Sequence, residues 1–300
     1  MAELIGINRF PLTGARAEAL ETANISLTGM VGSRELVIYD ELLDPSQTDN
    51  RLSQKQLPLL ATLTASYKDE LSDPEEYPDD TDEIGRVIVE FPSETQIWSH
   101  PDMQDTSCFV REFGDLTPCT FDSGDDIAPE GMFTITETLR WYLGHPSLRL
   151  ARKKPSWLAG QHIEPAMRAN SPLHIVTESS VNDLRAKADD PQFGVERFRA
   201  DFVLGGDFAP HEEQAWIGKV LRIGEALIML HRGTKRCPVP GYDQETGENK
   251  KDVPKLYGHL PKAPDNKKPL FGVYGYPILN NGELAAMSLG NEVSLLDSTR

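Results

Sequence analysis

Apolar positions along this chain fall mostly in short runs cut by turn formers. Leu4–Ile7, Leu36–Tyr39 and Leu57–Leu63 are separated by Pro11-Leu12-Thr13-Gly14 and Gly29-Met30-Val31-Gly32, a rhythm of short strands rather than helices. Arg86–Phe91, Ser171–Val176, Ile217–Gly224 and Glu292–Leu296 continue it. Glu225-Ala226-Leu227-Ile228-Met229-Leu230 is apolar after its first residue, which suits a strand buried on both faces. Arg197–Leu204 alternates: Phe198, Ala200, Phe202 and Leu204 fall on one face, and Arg197, Arg199 and Asp201 on the other. Two arginines so placed can converge on one anion through planar, bidentate hydrogen bonds, or form a surface ladder with Asp201 of little energetic weight.

Two stretches change period. Met132, Ile135, Leu139 and Tyr142 or Leu143 recur at helical spacing between Pro129 and His145. Glu130 sits where it favours the start of that helix, and Gly144 and Pro146 close it. After Val176, Thr177-Glu178-Ser179-Ser180 leads into a short helix with Val181, Leu184 and Ala188 on its apolar side. Thr177, Ser179 and Ser180 are natural N-caps, and the amides at such a helix start also bind anions, so cap and ligand contact both stand. The expected class is a β-rich α+β protein with a few short helices.

Charge narrows the functional classes. With 47 acidic against 30 basic residues and a formal net charge of -17, the chain lacks the basic surface that nucleic acid demands. Asp69–Glu83 concentrates carboxylates around Ser72, Pro74 and Pro78 and reads as a solvated loop, with steering of a basic partner as its functional alternative. An anionic ligand must therefore be met by a local reversal of sign. That reversal occurs at His231-Arg232-Gly233-Thr234-Lys235-Arg236-Cys237-Pro238, where cations adjoin a thiol and favour its ionised form. The plainer alternative is a solvated loop with a cysteine of no chemical consequence. Arg149, Arg152, Lys153 and Lys154 make a second basic cluster, read as a solvated face, and Arg34 alone reads as surface.

Cys108, Cys119 and Cys237 form no CxxC pair, and their odd number fits a reducing compartment, so a cytoplasmic protein is expected. No apolar run reaches signal or membrane-crossing length. His211-Glu212 lacks the second histidine of a zinc-protease helix, and no G-x-G-x-x-G, P-loop or G-x-S-x-G stands at a strand-to-helix junction.

Taken in order, Gly29–Arg34, Ser171–Leu184, Arg197-Phe198-Arg199, Glu213-Gln214-Ala215-Trp216, Arg236-Cys237 with Asp243–Gly247 behind it, and Leu270–Tyr274 resemble the MOSC domain proteins that carry an N-terminal MOSC β-barrel partner. The amidoxime reducing components and their bacterial counterparts are among these. The resemblance spans nearly the whole chain and implies an N-terminal β-barrel-like domain over 1–122 and a MOSC β-barrel over 123–300. It implies the pterin form of the molybdenum cofactor (molybdopterin) held between them, with Cys237 as the catalytic metal ligand. Arg34 and Arg199 match residues that contact pterin and phosphate, and Arg197, Lys235 and Arg236 add positive charge to the same pocket. Thr177 and Ser179 match a segment lining it, and Phe271 and Tyr274 a segment closing over it. A deprotonated, soft thiolate agrees with a thiophilic metal.

The implied activity is reduction of small N-oxygenated compounds, such as N-hydroxylated amidines, with electrons from a separate redox protein, no nucleic acid and no membrane. Two other readings remain: a sulfur carrier or transferase using a Cys237 persulfide, and a metal-free binding or pathway protein. The third rests on Thr13-Gly14 where relatives carry Lys-Ser, on Ser33 where an Asp is usual, and on Asp201 where an Asn is usual.

Overall fold

Short apolar runs bounded by glycine and proline satisfy their backbone groups by pairing with neighbours, and the computed structural model shows that outcome. It describes residues 1–43, 51–67, 87–92, 107–109, 135–152, 171–188, 193–250, 252–280 and 283–297. Within these, the chain forms β1 (Glu3–Arg9), β2 (Glu18–Leu20), β3 (Thr22–Ser26), β4 (Gly29–Met30), β5 (Leu36–Asp40), β6 (Thr64–Tyr67), β7 (Val87–Glu90) and β8 (Ser107–Phe109). Helix α1 (Ile135–Leu143), β9 (Leu148–Arg152), β10 (Leu173–Thr177), α2 (Glu178–Ala188) and β11 (Phe202–Gly205) follow. The remainder comprises β12 (Val220–Ile223), β13 (Ala226–Lys235), the single turn α3 (Val253–Leu256), β14 (Leu270–Pro277), β15 (Ala285–Ser288) and β16 (Val293–Leu296).

The largest sheet has the order β16-β12-β13-β14-β10-β11-β1-β2. Its neighbours are antiparallel except β10 and β11, and a parallel join needs a crossover, which α2 begins. The first strand returns toward the last: Glu3 bridges Glu292, and the Leu4 and Val293 amides donate to Asn291 and Ala2 at 2.9 Å. That contact is a bridge and not a ladder, so the sheet curls strongly without closing into the expected barrel. Leu4, Ile7, Ile175, Phe202, Leu221, Ile228, Leu230 and Val273 fill its interior.

A second core gathers Leu12, Leu36, Ile38, Leu60, Leu63, Leu139, Leu148 and Leu150. The boundary expected at residue 122 falls outside the described residues, as do Asp69–Glu83, Cys119, Glu130, Met132, Lys153 and Lys154. Strands from either side of it share sheets, since β1 pairs with β11 and β5 with β9.

Helix α1 ends as its sequence suggests. Gly144 is left-handed at φ 65, and the His145 amide donates to the Arg140 carbonyl at 2.9 Å, a Schellman closure. Three other expectations are corrected. Leu57–Leu63 is a 3-10 turn over Pro58–Thr62 rather than a strand, because Pro58 has no N–H to give a ladder. Arg197–Leu204 is a strand only from Phe202; Val195–Phe198 winds as a 3-10 turn and Arg199 is left-handed at φ 54. The alternation there served another purpose, for Phe198 turns into a third core to stack on Phe271 at 4.0 Å between ring centres. Finally, β13 does not stop at Leu230. It runs through His231 to Lys235, kinked by bulges on either side of Arg232-Gly233, and buries Ala226, Ile228 and Leu230 on one face while Leu227 and Met229 stay half-buried.

Candidate functional site

Strand β13 delivers Thr234-Lys235-Arg236-Cys237 to the end of the sheet, and Pro238 turns the chain into a short 3-10 turn over Val239–Gly241. The Cys237 thiol is free and exposed, and the Arg236 guanidinium lies 5.9 Å from the Phe198 ring centre while donating to the Thr234 carbonyl. Thr234 is fully buried, and its hydroxyl has no hydrogen-bond partner among the described residues. Lys235 is spent elsewhere: its ammonium pairs at 2.6 Å with Asp265 on the surface. His231 adds no charge, since burial and then the neighbouring Arg232 lower its pKa below the usual histidine value, and its Nε2 meets the Ser171 hydroxyl. The local reversal of sign is thus narrower than the sequence implied and centres on Arg236.

A second cationic group forms around Phe10, a ring 1% exposed. The guanidinium of Arg34 stands 4.8 Å from its centre and that of Arg199 4.4 Å. Both arginines hold left-handed backbones, φ 62 and 54, a conformation unfavourable for residues with a Cβ and concentrated in proteins at functional positions. Arg199 also donates to the Ala15 carbonyl, just past the Thr13-Gly14 turn. Asp201 lies 3.7 Å from Arg34 and accepts the His174 amide at 2.7 Å.

Arg197 and Arg199 accordingly do not converge. Arg197, 3% exposed, reaches the other way to Asp243 at 3.1 Å and to the Tyr242 carbonyl. Burial alone would raise the Asp243 carboxyl, but the Lys250 ammonium and the Glu245 and Thr246 amides outweigh it and hold the group well below the usual carboxylate range. This buried pair pins the segment behind Cys237 to the turn that carries Phe198.

The Thr177–Ser180 turn resolves toward capping. The Ser180 amide donates to Thr177 Oγ1, the Ser179 hydroxyl does so at 3.1 Å, and Thr177 and Ser180 both donate to the carboxylate of Glu213. Glu213 is fully buried and also accepts the Gly272 amide, while Gln214 donates to the Gly272 carbonyl at 2.9 Å. Gly272 is left-handed at φ 71, and a Cβ there would stand 2.5 Å from His174 Nε2, so β14 comes against β10 only because this residue has no side chain. Thr177→Ala is expected to destabilise the protein by about 1–2 kcal/mol, a lost cap plus an unmatched buried carboxylate lone pair, measured by urea unfolding.

Phe271 is fully buried in the stack with Phe198, and Tyr274, half-buried, faces His174 and Arg232, with ring centres 5.5 Å apart in the first pair. The sequence reading gave no site role to Phe10, Glu213 or Tyr257. Glu213 stood inside a motif that was recognised, whereas nothing local marks Phe10 or Tyr257. Tyr257 packs its ring beside the third core and donates its hydroxyl to the Cys237 carbonyl at 3.0 Å. Burial pushes its phenol above the usual tyrosine range, with Arg236 pulling against and charge at Cys237 adding to the shift.

Among the described residues, no three His, Cys, Asp or Glu side chains converge to hold a metal, and no helix is long and apolar enough to cross a membrane.

Residues 158–294 match the family model of the MOSC domain. A search of the curated proteins finds no match. Among solved structures, YiiM from Geobacillus stearothermophilus is 15% identical with a TM-score of 0.31, over 42% of this chain and 55% of that one, so the chain spans about half its length. The YUAD protein from Bacillus subtilis is 8% identical with a TM-score of 0.40, over 98% of this chain and 94% of that one.

Proposed function

We propose that this protein, whose residues 158–294 match the MOSC domain, a family that includes binders of the molybdenum cofactor, is a molybdenum-cofactor oxidoreductase that reduces small N-oxygenated compounds. The observation that supports this most is the free, exposed Cys237 thiol set beside Arg236 at the end of a core strand.

The residues present fit such a group in their donor chemistry. A single accessible thiol suits a thiophilic metal whose other ligands come from its own organic part. The buried Thr234 hydroxyl, without a partner among the described residues, and the strained Arg34 and Arg199 offer hydrogen-bond donors to an anion. Cys237 would hold the metal, and Arg236, Arg34 and Arg199 the anionic portions. When bound, molybdenum supplies two-electron redox chemistry able to cleave an N–O bond. The chain's own contribution is to fix the thiol and balance negative charge. Arg197, Thr177 and Phe271 act by holding segments in place, and Lys235 contributes only at the rim. The substrate is a small N-hydroxylated molecule, the electrons come from a separate redox protein, and the setting is the cytoplasm.

Protein purified from a molybdenum-replete host is expected to carry close to one molybdenum per chain by elemental analysis, and to reduce an N-hydroxylated amidine with a reduced low-potential dye. Metal-free protein with no turnover overturns the proposal. Exposure of Cys237 also favours one other reading, a persulfide carrier, which intact-mass spectrometry after sulfur loading detects as added sulfur on that residue.

A further inference from the structure

Cys237 is followed by proline, which has no N–H and restricts the residue before it to extended conformations. Pro238 itself sits at φ -63 and ψ -17, turning the chain away at once. The torsions on the proline side are therefore confined, and the direction of the Cys237 carbonyl sets the Cα–Cβ vector along which the thiol is presented. That carbonyl accepts the Tyr257 hydroxyl at 3.0 Å.

The donor is itself held firmly. Tyr257 belongs to the turn that follows α3, whose flanking residues Val253 and Leu260 are 4% and 3% exposed in the core that also contains Phe198 and Phe271. The Val253 amide donates to Lys250 and the Lys250 amide to Gly241, tying the turn back to the loop that leaves Cys237. Lys262 donates its ammonium to the Tyr257 carbonyl at 2.5 Å. Arg236 lies over the ring of Phe198, so the side chain beside the thiol and the phenol that fixes its carbonyl rest on one aromatic floor. A hydrogen bond whose donor is locked by packing restrains its acceptor more than one between mobile groups.

We infer that Tyr257 is a positioning residue for Cys237, its hydroxyl fixing the Cys237–Pro238 peptide so that the thiol points at one place. This deepens the functional reading above, yet the restraint belongs to the thiol and exists without any metal. It acts through the backbone and so requires the hydroxyl, not merely the ring.

The test uses metal-free full-length protein at one fixed pH and follows alkylation of Cys237 by iodoacetamide, with the Cys237 peptide resolved by mass spectrometry from those of Cys108 and Cys119. In Tyr257→Phe, which keeps the ring, the Cys237 rate is expected to rise by about 2- to 10-fold, the factor by which losing one ordinary hydrogen bond frees the restrained conformer. The rates at Cys108 and Cys119 are expected to stay unchanged. Lys262→Ala removes one exposed contact to the Tyr257 carbonyl but keeps the hydroxyl and the buried Val253 and Leu260 that hold the turn, and it is expected to leave the Cys237 rate as in wild type. An unchanged Cys237 rate in Tyr257→Phe overturns the inference. So does an equal rise in Lys262→Ala, which would assign the effect to the turn as a whole. Molybdenum-free wild-type protein from a replete host would overturn the functional reading while leaving this result intact.

Discussion

Cys237→Ser is expected to emerge from a molybdenum-replete host without metal and with at least about 100-fold less N–O reducing activity than wild type. Loss of an outer partner of a metal ligand costs roughly 10- to 100-fold. Removing the ligand itself should exceed that. Serine is nearly the same size, but its hydroxyl stays protonated at neutral pH, so it offers a weak, hard oxygen in place of a soft sulfur ligand. The thiol is exposed, so no core packing changes and the unfolding midpoint should stay as in wild type. That combination separates a chemical role from a structural one. A serine variant with full metal and full activity would remove Cys237 from the mechanism.

Asp243→Ala is expected to destabilise the protein by about 3–5 kcal/mol, because it removes the carboxylate paired with Arg197 in a site where the Arg197 side chain is 3% exposed. The same carboxylate accepts the Lys250 ammonium at 2.7 Å and the Glu245 and Thr246 amides, so the turn behind Cys237 loses its anchor as well. Urea unfolding of both proteins at neutral pH measures the difference.

Its pH dependence has a definite sign. The folded-state pKa of Asp243 lies below the unfolded value of about 3.9, so the contribution is complete above that value and is lost as pH falls toward the depressed folded pKa. The gap between wild type and Asp243→Ala should be constant from pH 5 to 7, within roughly 0.5 kcal/mol, and should narrow below about pH 4. A gap that stays constant to pH 2 would contradict the ion pair as its source.

The two predictions separate a residue proposed to touch a ligand from one that holds its surroundings in place. Arg197 illustrates why the sequence put one kind into the other. Its spacing from Arg199 is what a strand needs to aim two guanidiniums at one anion, and nothing local contradicts that. Phe198 decides otherwise: its ring gains more by stacking in the third core than by lying on a sheet, so the segment winds as a 3-10 turn and Arg199 takes the left-handed corner. The arginines then leave in different directions, one toward Asp243 and one toward Phe10.

Lys235 likewise looked like a pocket cation until the chain brought Asp265 to it. Thr177 stood open between cap and ligand until Glu213 arrived from another segment to accept its hydrogen bond. Each case turns on a partner distant in sequence.

What the sequence determined alone is what local physics controls. Apolar runs placed strands such as β1, β5, β10, β12 and β13, helical spacing and Gly144 placed α1, and Thr177-Glu178-Ser179-Ser180 announced the start of α2, because period and capping depend on neighbours along the chain. The ordered motifs carried the resemblance to MOSC domain proteins, whose family model matches residues 158–294, and Cys237 among cations stood out by composition alone. Tertiary structure decided the rest: which cations remain near the thiol, that Arg34 and Arg199 meet on one ring, and that Tyr257 holds Cys237 by its carbonyl. Those outcomes rest on contacts between segments far apart in the chain, and the energy that selects among them is burial and charge pairing in the folded core, which no local pattern encodes.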